Sequence, residues 1–392
     1  MELATVGIML IAVVTSMFMA WTIGAGSSGS TPFAPAVGAN AISVMRAGFI
    51  VGIMCLLGAV TQGGAISKAV GTDLVHGVSL SPLGTAIALM TAALLVAIGI
   101  FTGIPISTAF TATGAIIGVG LALGGVPAWT KYREILLLWI LTPFVGGSVS
   151  YAAARTFQCD RYRQSLLTGA LGGVTGIIIA NMEFVVLGSS GESSSLAMLA
   201  GSSFPGQVLY GRVLASALVG AGLTIVLYKH VARDIQRGQR QFLLALGGLV
   251  AFSAGGSQVG LAIGPLIPLL QPRGVPLLAI LFGGGVGLLI GSWTAAPRMI
   301  KALSQDYSSL GPQRAIAVLI PSFTIAQSAI FFGIPVSFNE IIVSAIVGSG
   351  YAGNRGGVGR EKMVKTGFAW VASLVGAILV SYAVYAGVEA VL

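Results

Sequence analysis

Long apolar runs and short polar gaps alternate along the whole chain. Runs of about 20 residues, each able to cross a hydrocarbon core of about 30 Å as a helix, fall at roughly 3–23, 42–63, 82–102, 107–124, 134–154 and 165–187. Six more follow at roughly 207–228, 241–263, 275–296, 315–332, 335–351 and 365–391. The pattern predicts an all-α integral membrane protein of about 12 transmembrane or re-entrant helices.

Several of these runs are interrupted, and the interruptions repeat. Gly103-Ile104-Pro105-Ile106-Ser107 returns as Gly333-Ile334-Pro335-Val336-Ser337, and Gly118 and Gly120 have partners at Gly348 and Gly350 at the same offset of 230 residues. Upstream, Gly24-Ala25-Gly26-Ser27-Ser28-Gly29 is answered by Gly255-Gly256-Ser257-Gln258. Two Gly/Ser-rich breaks per half, in matching order, indicate a duplicated unit whose helices are interrupted at corresponding depths, the best sequence pointer to a transporter's binding site. The reading divides the chain into a first repeat of five segments over 1–155, a central helix pair with a basic loop over 156–240, and a second repeat over 241–392. Five crossings per repeat invert the second unit relative to the first, provided that the segments beginning near Ser107 and Ser337 count as crossings.

Composition agrees with the membrane assignment. Hydrophobic residues make up 55% of the chain and charged residues 8%, against about 25% charge in a soluble domain, and the mean hydropathy is +0.95. Most Lys and Arg fall in the loops at 155–164, 229–241, 297–314 and 352–365, which include Arg355. With those loops cytoplasmic, only Lys68, Lys131, Arg133, Arg212 and Arg273 of the 20 basic residues lie outside, as the positive-inside rule requires. Both termini then face outward. The net charge of +9 is a topology signal and does not point to nucleic acid. Met1-Glu2-Leu3 is not the basic opening of a signal peptide. Cys55 in a span and Cys159 in a loop do not suggest a disulfide.

Chemistry follows from the breaks. Pro105 cannot donate a backbone hydrogen bond and turns the preceding residue away from helix. Ser107 then stands as the N-cap of a new helix, whose first N–H groups and dipole favour an anion. Ser107 and Thr108 add side-chain donors, and Ser337 and Asn339 do the same in the second half. Two such helix starts converging near the midplane describe a pocket for a small tetrahedral oxyanion; a Pro/Gly kink that only shapes packing is the plain alternative. The other break pair is expected to be unwound backbone, with Ser27, Ser28, Ser30, Ser257 and Gln258 facing the cavity, or, for the first copy, a simple cytoplasmic turn. The Gly283-xxx-Gly287-xxx-Gly291 and Gly48-xxx-Gly52 stripes signal close helix packing.

These residues resemble a known family. Phe252 to Pro265, Phe-Ser-Ala-Gly-Gly-Ser-Gln-Val-Gly-Leu-Ala-Ile-Gly-Pro, is similar to the H-G-A-N-D-V-A-N-A-I-G-P signature of the inorganic phosphate transporter (PiT) family, and Ile23 to Val37 resembles its first copy. The two Gly-Ile-Pro-x-Ser starts resemble the family's P-V-S-T-T-H helix starts. The resemblance implies an inverted-repeat secondary transporter (symporter) of phosphate, dimeric, with no cofactor. Sulfate, carried by sulfate-permease-like members, is the alternative substrate. The departures are as informative. Where the family has Asn-Asp, this chain has Gly26-Ser27 and Ser257-Gln258, and Phe110 and Glu340 replace the histidines. The carboxylates around which sodium-coupled members place their cation are absent, so H+ becomes the expected coupling ion and Na+ the lesser one. Glu340 is the candidate proton carrier, or equally a capping-box glutamate bonding back to Ser337.

Other polar residues carry less. Glu183, beside Asn181 in the sixth segment, is an intramembrane acid without a repeat partner, which favours a structural role. Arg46 opens the second segment, where it either draws in anions or snorkels to the headgroups. His76 and His230 fall in loops and no Gly-x-Ser-x-Gly occurs, so the chain does not read as an enzyme. A passive anion channel would use the same donors as a carrier.

Overall fold

A computed structural model describes residues 3–159, 161–188, 193–203, 207–306, 310–353 and 359–391; Met1, Glu2 and Arg355, used in the sequence reading, lie outside them. The chain is helical nearly throughout. The first half contains α1 (Leu3–Gly26), α2 (Ala34–Gly38), α3 (Val44–Gln62), α4 (Gly64–Thr72), α5 (Pro82–Thr102), α6 (Thr108–Ala122) and α7 (Trp129–Phe157). The middle contains α8 (Gln164–Asn181), α9 (Leu196–Ser202) and α10 (Val208–Arg233). The second half contains α11 (Ile235–Ile263), α12 (Ile267–Leu270), α13 (Leu277–Thr294), α14 (Ala296–Asp306), α15 (Pro312–Phe331), α16 (Phe338–Tyr351) and α17 (Arg360–Glu389). Among the described residues, 10 helices are long and apolar enough to cross a membrane. The other two predicted segments, α6 and α16, are shorter, at 15 and 14 residues, or a little over 20 Å each.

Burial is inverted relative to a soluble protein. Ser27, Ser28, Ser30, Thr31, Ser107 and Thr108 are fully buried, whereas Phe368, Leu218 and Val371 are more than half exposed. A bilayer removes the penalty for exposing apolar surface, while the backbone it surrounds must be satisfied internally.

Helix packing keeps its pattern when the halves are exchanged. α1 packs on α5 and α13, as α11 packs on α15 and α3. α6 packs on α5 and on α17 of the other half, and α16 packs on α15 and on α7. Glycines set the crossings. A Cβ on Gly58 would lie 1.8 Å from the Phe252 carbonyl oxygen, and one on Gly291 would lie 2.1 Å from that of Trp21. Gly255 meets Cys55 O and Gly24 meets Leu288 O in the same way. Of the glycine stripe on α13, Gly287 and Gly291 are packed while Gly283 has open space. α8 and α10 pair closely with each other and touch α11 and α15.

α5 starts at a Ser81 cap with Pro82 in its first turn and ends at Gly103, whose φ of 72° is left-handed. α15 likewise starts with Pro312 and is followed by Gly333 at φ 60°. Glycine tolerates this conformation where other residues do not, so both glycines of the duplicated motif serve to stop one helix and turn the chain toward the next. A two-residue antiparallel pairing of Val75–His76 with Val126–Pro127 closes the α5–α6 hairpin, so its ends lie together.

Three expectations are corrected. Ser253 to Gln258 is not unwound: α11 runs unbroken from Ile235 to Ile263, because Gly255 and Gly256 admit neighbouring backbone and side chains at close range and do not break the helix. Glu183 lies just beyond α8, in a two-residue strand paired with Ser195. His230 sits in the last turn of α10, which outlasts its apolar run, and bonds Gln241.

The crossing geometry gives a direct test. Gly58→Ala forces a methyl group into a backbone oxygen and is expected to destabilise the protein by several kcal/mol. Gly222→Ala, with nothing within 4 Å, is expected to be neutral or to gain up to about 1 kcal/mol of helix propensity. Thermal unfolding in detergent distinguishes the two; equal melting temperatures would contradict this packing.

Candidate functional site

The site is assembled from four chain segments: the end of α1, the start of α6, the middle of α11 and the start of α16. α1 ends at Gly26, and the chain turns through Ser27 to Thr31 with short-range backbone bonds. Beside that turn, Thr108 in the first turn of α6 donates to Gln258 Oε1 of α11 at 2.6 Å and approaches Ser27 Oγ at 3.4 Å. Gln258 in turn donates through Nε2 to the Val336 carbonyl that leads into α16. Asn339 closes the ring, its Nδ2 donating to Ile106 O at 2.7 Å and to Gly26 O at 3.1 Å. Residues up to 313 positions apart thus share one buried cluster.

The two helix starts are not equivalent. Ser107 Oγ accepts from the Phe110 amide at 3.2 Å, the expected N-cap. Ser337 makes no side-chain cap, and its Oγ has no hydrogen-bond partner. The first amides of α16 are therefore left available to an anion, together with the positive end of its dipole. Ser257 Oγ, Asn339 Oδ1 and Glu340 Oε2 are also buried without partners. Buried polar atoms are nearly always satisfied in folded proteins, so the three at the start of α16, Ser337 Oγ, Asn339 Oδ1 and Glu340 Oε2, mark a position suited to a polar ligand. The unpartnered Oε2 gives no support to Glu340 as a simple capping-box residue.

Ser28 and Ser30 are sequence-predicted residues whose side chains the bonded cluster does not take in. The Ser28 hydroxyl bonds back to Ile23 O at 3.4 Å, and its carbonyl accepts the Cys55 thiol. Ser30 bonds to Ser27 O. Ser253 lies one turn from Ser257 and accepts from Gln327 Nε2 at 2.6 Å, and Gln327 also pairs with Gln62. Gln327 borders a cavity of about 400 Å³ lined also by Asn181, Glu183 and Arg212. Burial raises the Glu183 carboxyl above its ordinary range, while a Ser193 hydrogen bond and the Arg212 charge pull it down.

The sequence reading missed the two tryptophans that hold the breaks. Trp139 of α7 donates to Pro335 O at 2.8 Å, and Trp370 of α17 donates to Pro105 O at 2.8 Å. Each half thus staples the broken helix of the other. Phe110 stacks on Trp139 with ring centroids 3.8 Å apart, so the aromatic that stands for the family's histidine supports the staple. The signal was present, because the two tryptophans lie 231 residues apart, close to the spacing of the breaks themselves.

Such a site inside a bundle of membrane helices fits a membrane transporter, and comparison with known families agrees. The fold matches "The sodium-dependent phosphate transporter" with a TM-score of 0.82 at 21% identity, covering 98% of this chain and 100% of that one. The profile of the phosphate transporter family matches residues 23–381, and the chain belongs to that family. Similar proteins include a "Putative phosphate permease" of Thermococcus kodakarensis, 25% identical over 88% of both chains. Another, of Pyrococcus furiosus, is 26% identical over 88% of this chain and 87% of its own.

Ser107 and Ser337 are expected to respond differently to loss of the hydroxyl. Ser337→Ala should weaken anion binding about 10- to 100-fold, the worth of a hydrogen bond to a charged group, with no loss of thermal stability. Ser107→Ala should weaken binding and also cost about 1 kcal/mol of stability through the lost cap. Binding titrations beside melting curves separate the two effects. Unaltered affinity in Ser337→Ala would place the anion elsewhere.

Proposed function

We propose that this protein is a proton-coupled symporter of inorganic phosphate in the cell membrane. The observation that carries the reading is the unpartnered set Ser337, Asn339 and Glu340 at the uncapped start of α16. Thr108 and Ser27 face it across Gln258. The anion is held by hydroxyls, the bridging amide and helix-start amides, and no basic side chain enters the described bonds of the cluster.

Proton coupling is favoured by what the cluster lacks. The solved relative is named for sodium dependence, but in this chain Ser27 and Gln258 occupy the positions where the family resemblance expects aspartate. Glu340 is then the acid available at the site. A proton on Glu340 removes a negative charge from beside the anion, so proton and anion binding favour each other, the link that symport needs.

The architecture proposed for this function is two inverted repeats of five segments, at 1–155 and 241–392, around the central pair at 156–240, with both termini outward and two copies forming a homodimer. The exchange symmetry of the helix packing supports the repeat, and the closed α5–α6 hairpin supports α6 running back toward the start of α5. The distribution of Lys and Arg supports the orientation.

Uptake into proteoliposomes, with pH and sodium gradients imposed separately, tests the proposal. Phosphate accumulation is expected to follow an inward proton gradient and to be indifferent to replacing Na+ by K+. Glu340→Gln, which mimics the protonated acid, is expected to bind and exchange phosphate but to lose uphill accumulation. A steep sodium requirement would overturn proton coupling, and normal accumulation by Glu340→Gln would remove Glu340 from it.

A further inference from the structure

Asn339 differs from every hydroxyl around it in having a fixed hydrogen-bonding sense. It is 1% exposed, and its Nδ2 donates to two backbone oxygens, Gly26 O at 3.1 Å and Ile106 O at 2.7 Å. Those bonds use both amide protons. They also fix the orientation of the group, since the flipped amide would set its oxygen against two carbonyl oxygens. Its Oδ1 is left buried without a donor. Serine and threonine hydroxyls can rotate to give or to accept; Asn339 Oδ1 can only accept.

We infer that Asn339 is a specificity-determining residue that selects a protonated tetrahedral oxyanion, with Oδ1 accepting a hydrogen bond from a ligand P–OH or As–OH group. The inference rests on the anion-transport reading above and deepens it. At neutral pH phosphate and arsenate keep at least one proton, whereas sulfate and selenate, of similar shape, keep none. An anion without a proton leaves Oδ1 bare and sets a second negative oxygen against it. Sites built to bond a substrate hydroxyl reject the analogue that lacks it by large factors, because a buried partner is left unpaired. The residue departs from the family pattern, where the resemblance expects threonine, a side chain that could adapt to either kind of anion. This gives the second repeat a fixed acceptor for which the first repeat, with Ala109 in the matching position, has no counterpart.

Competition in wild-type proteoliposomes is the first test. Labelled phosphate uptake is measured against arsenate, sulfate and selenate at constant pH. Arsenate is expected to compete within a few-fold of phosphate, and sulfate and selenate at least about 100-fold more weakly. Asn339→Leu, which keeps the bulk and removes the acceptor, is expected to weaken phosphate and arsenate about 10- to 100-fold while leaving sulfate unchanged, collapsing the ratio. Asn339→Gln, which retains both the amide donor and the acceptor, is expected to keep it. Sulfate competing as well as arsenate in the wild type would overturn the inference, whether or not either variant folds, as would an unchanged ratio in a folded Asn339→Leu protein. Absence of any phosphate uptake by the wild type would instead sink the transport reading itself.

Discussion

A backbone carbonyl cannot be left bare at membrane depth, and each Gly-Ile-Pro-x-Ser break exposes one at its proline. Pro105 and Pro335 are both buried, and the oxygen of each is taken by an indole from the opposite half, Trp370 and Trp139. Without such partners an interrupted helix in lipid would cost several kcal/mol per unsatisfied group. The broken helices, the site at their starts and the interlocking of the halves all depend on this pair of bonds. Glycines at 24 and 291 bring α1 against α13, and those at 58 and 255 bring α3 against α11.

The halves share a scaffold and divide the chemistry. The first half is closed: Ser107 caps α6, Thr108 is held by Gln258, and Phe110 is committed to stacking on Trp139. The second half is open: Ser337 caps nothing, and Asn339 and Glu340 keep acceptor atoms without partners. Asymmetry of this kind lets one repeat fix geometry while the other meets the ligand. The same division separates α1, which stops at Gly26, from α11, which carries the corresponding polar residues on an intact helix. Gln258 can bridge the two helix starts because the α11 backbone holds it rigidly between them.

Much of this was legible in the sequence. Run lengths located the long helices to within a few residues, since a bilayer sets the length of a crossing segment, and the duplicated motif located the starts of α6 and α16. The resemblance pointed to phosphate. The reading failed where one residue type serves two ends. Gly255-Gly256 read as a break because glycine unwinds helices, yet here it serves close packing against α3. Ser28 read as cavity-facing because its neighbours are, but the turn directs its hydroxyl back to Ile23.

The sequence by itself determined that this is a membrane protein with a duplicated Gly-Ile-Pro-x-Ser motif, and which residues stand at those helix breaks. Those facts follow from hydrophobic length and from covalent limits of proline and glycine, which act locally. Only the tertiary structure decided which polar atoms are spent and which are left over. Whether Asn339 presents its amide or its oxygen depends on carbonyls brought from positions more than 200 residues away. Pairing across such distances is set by how the helices pack, which no local pattern records.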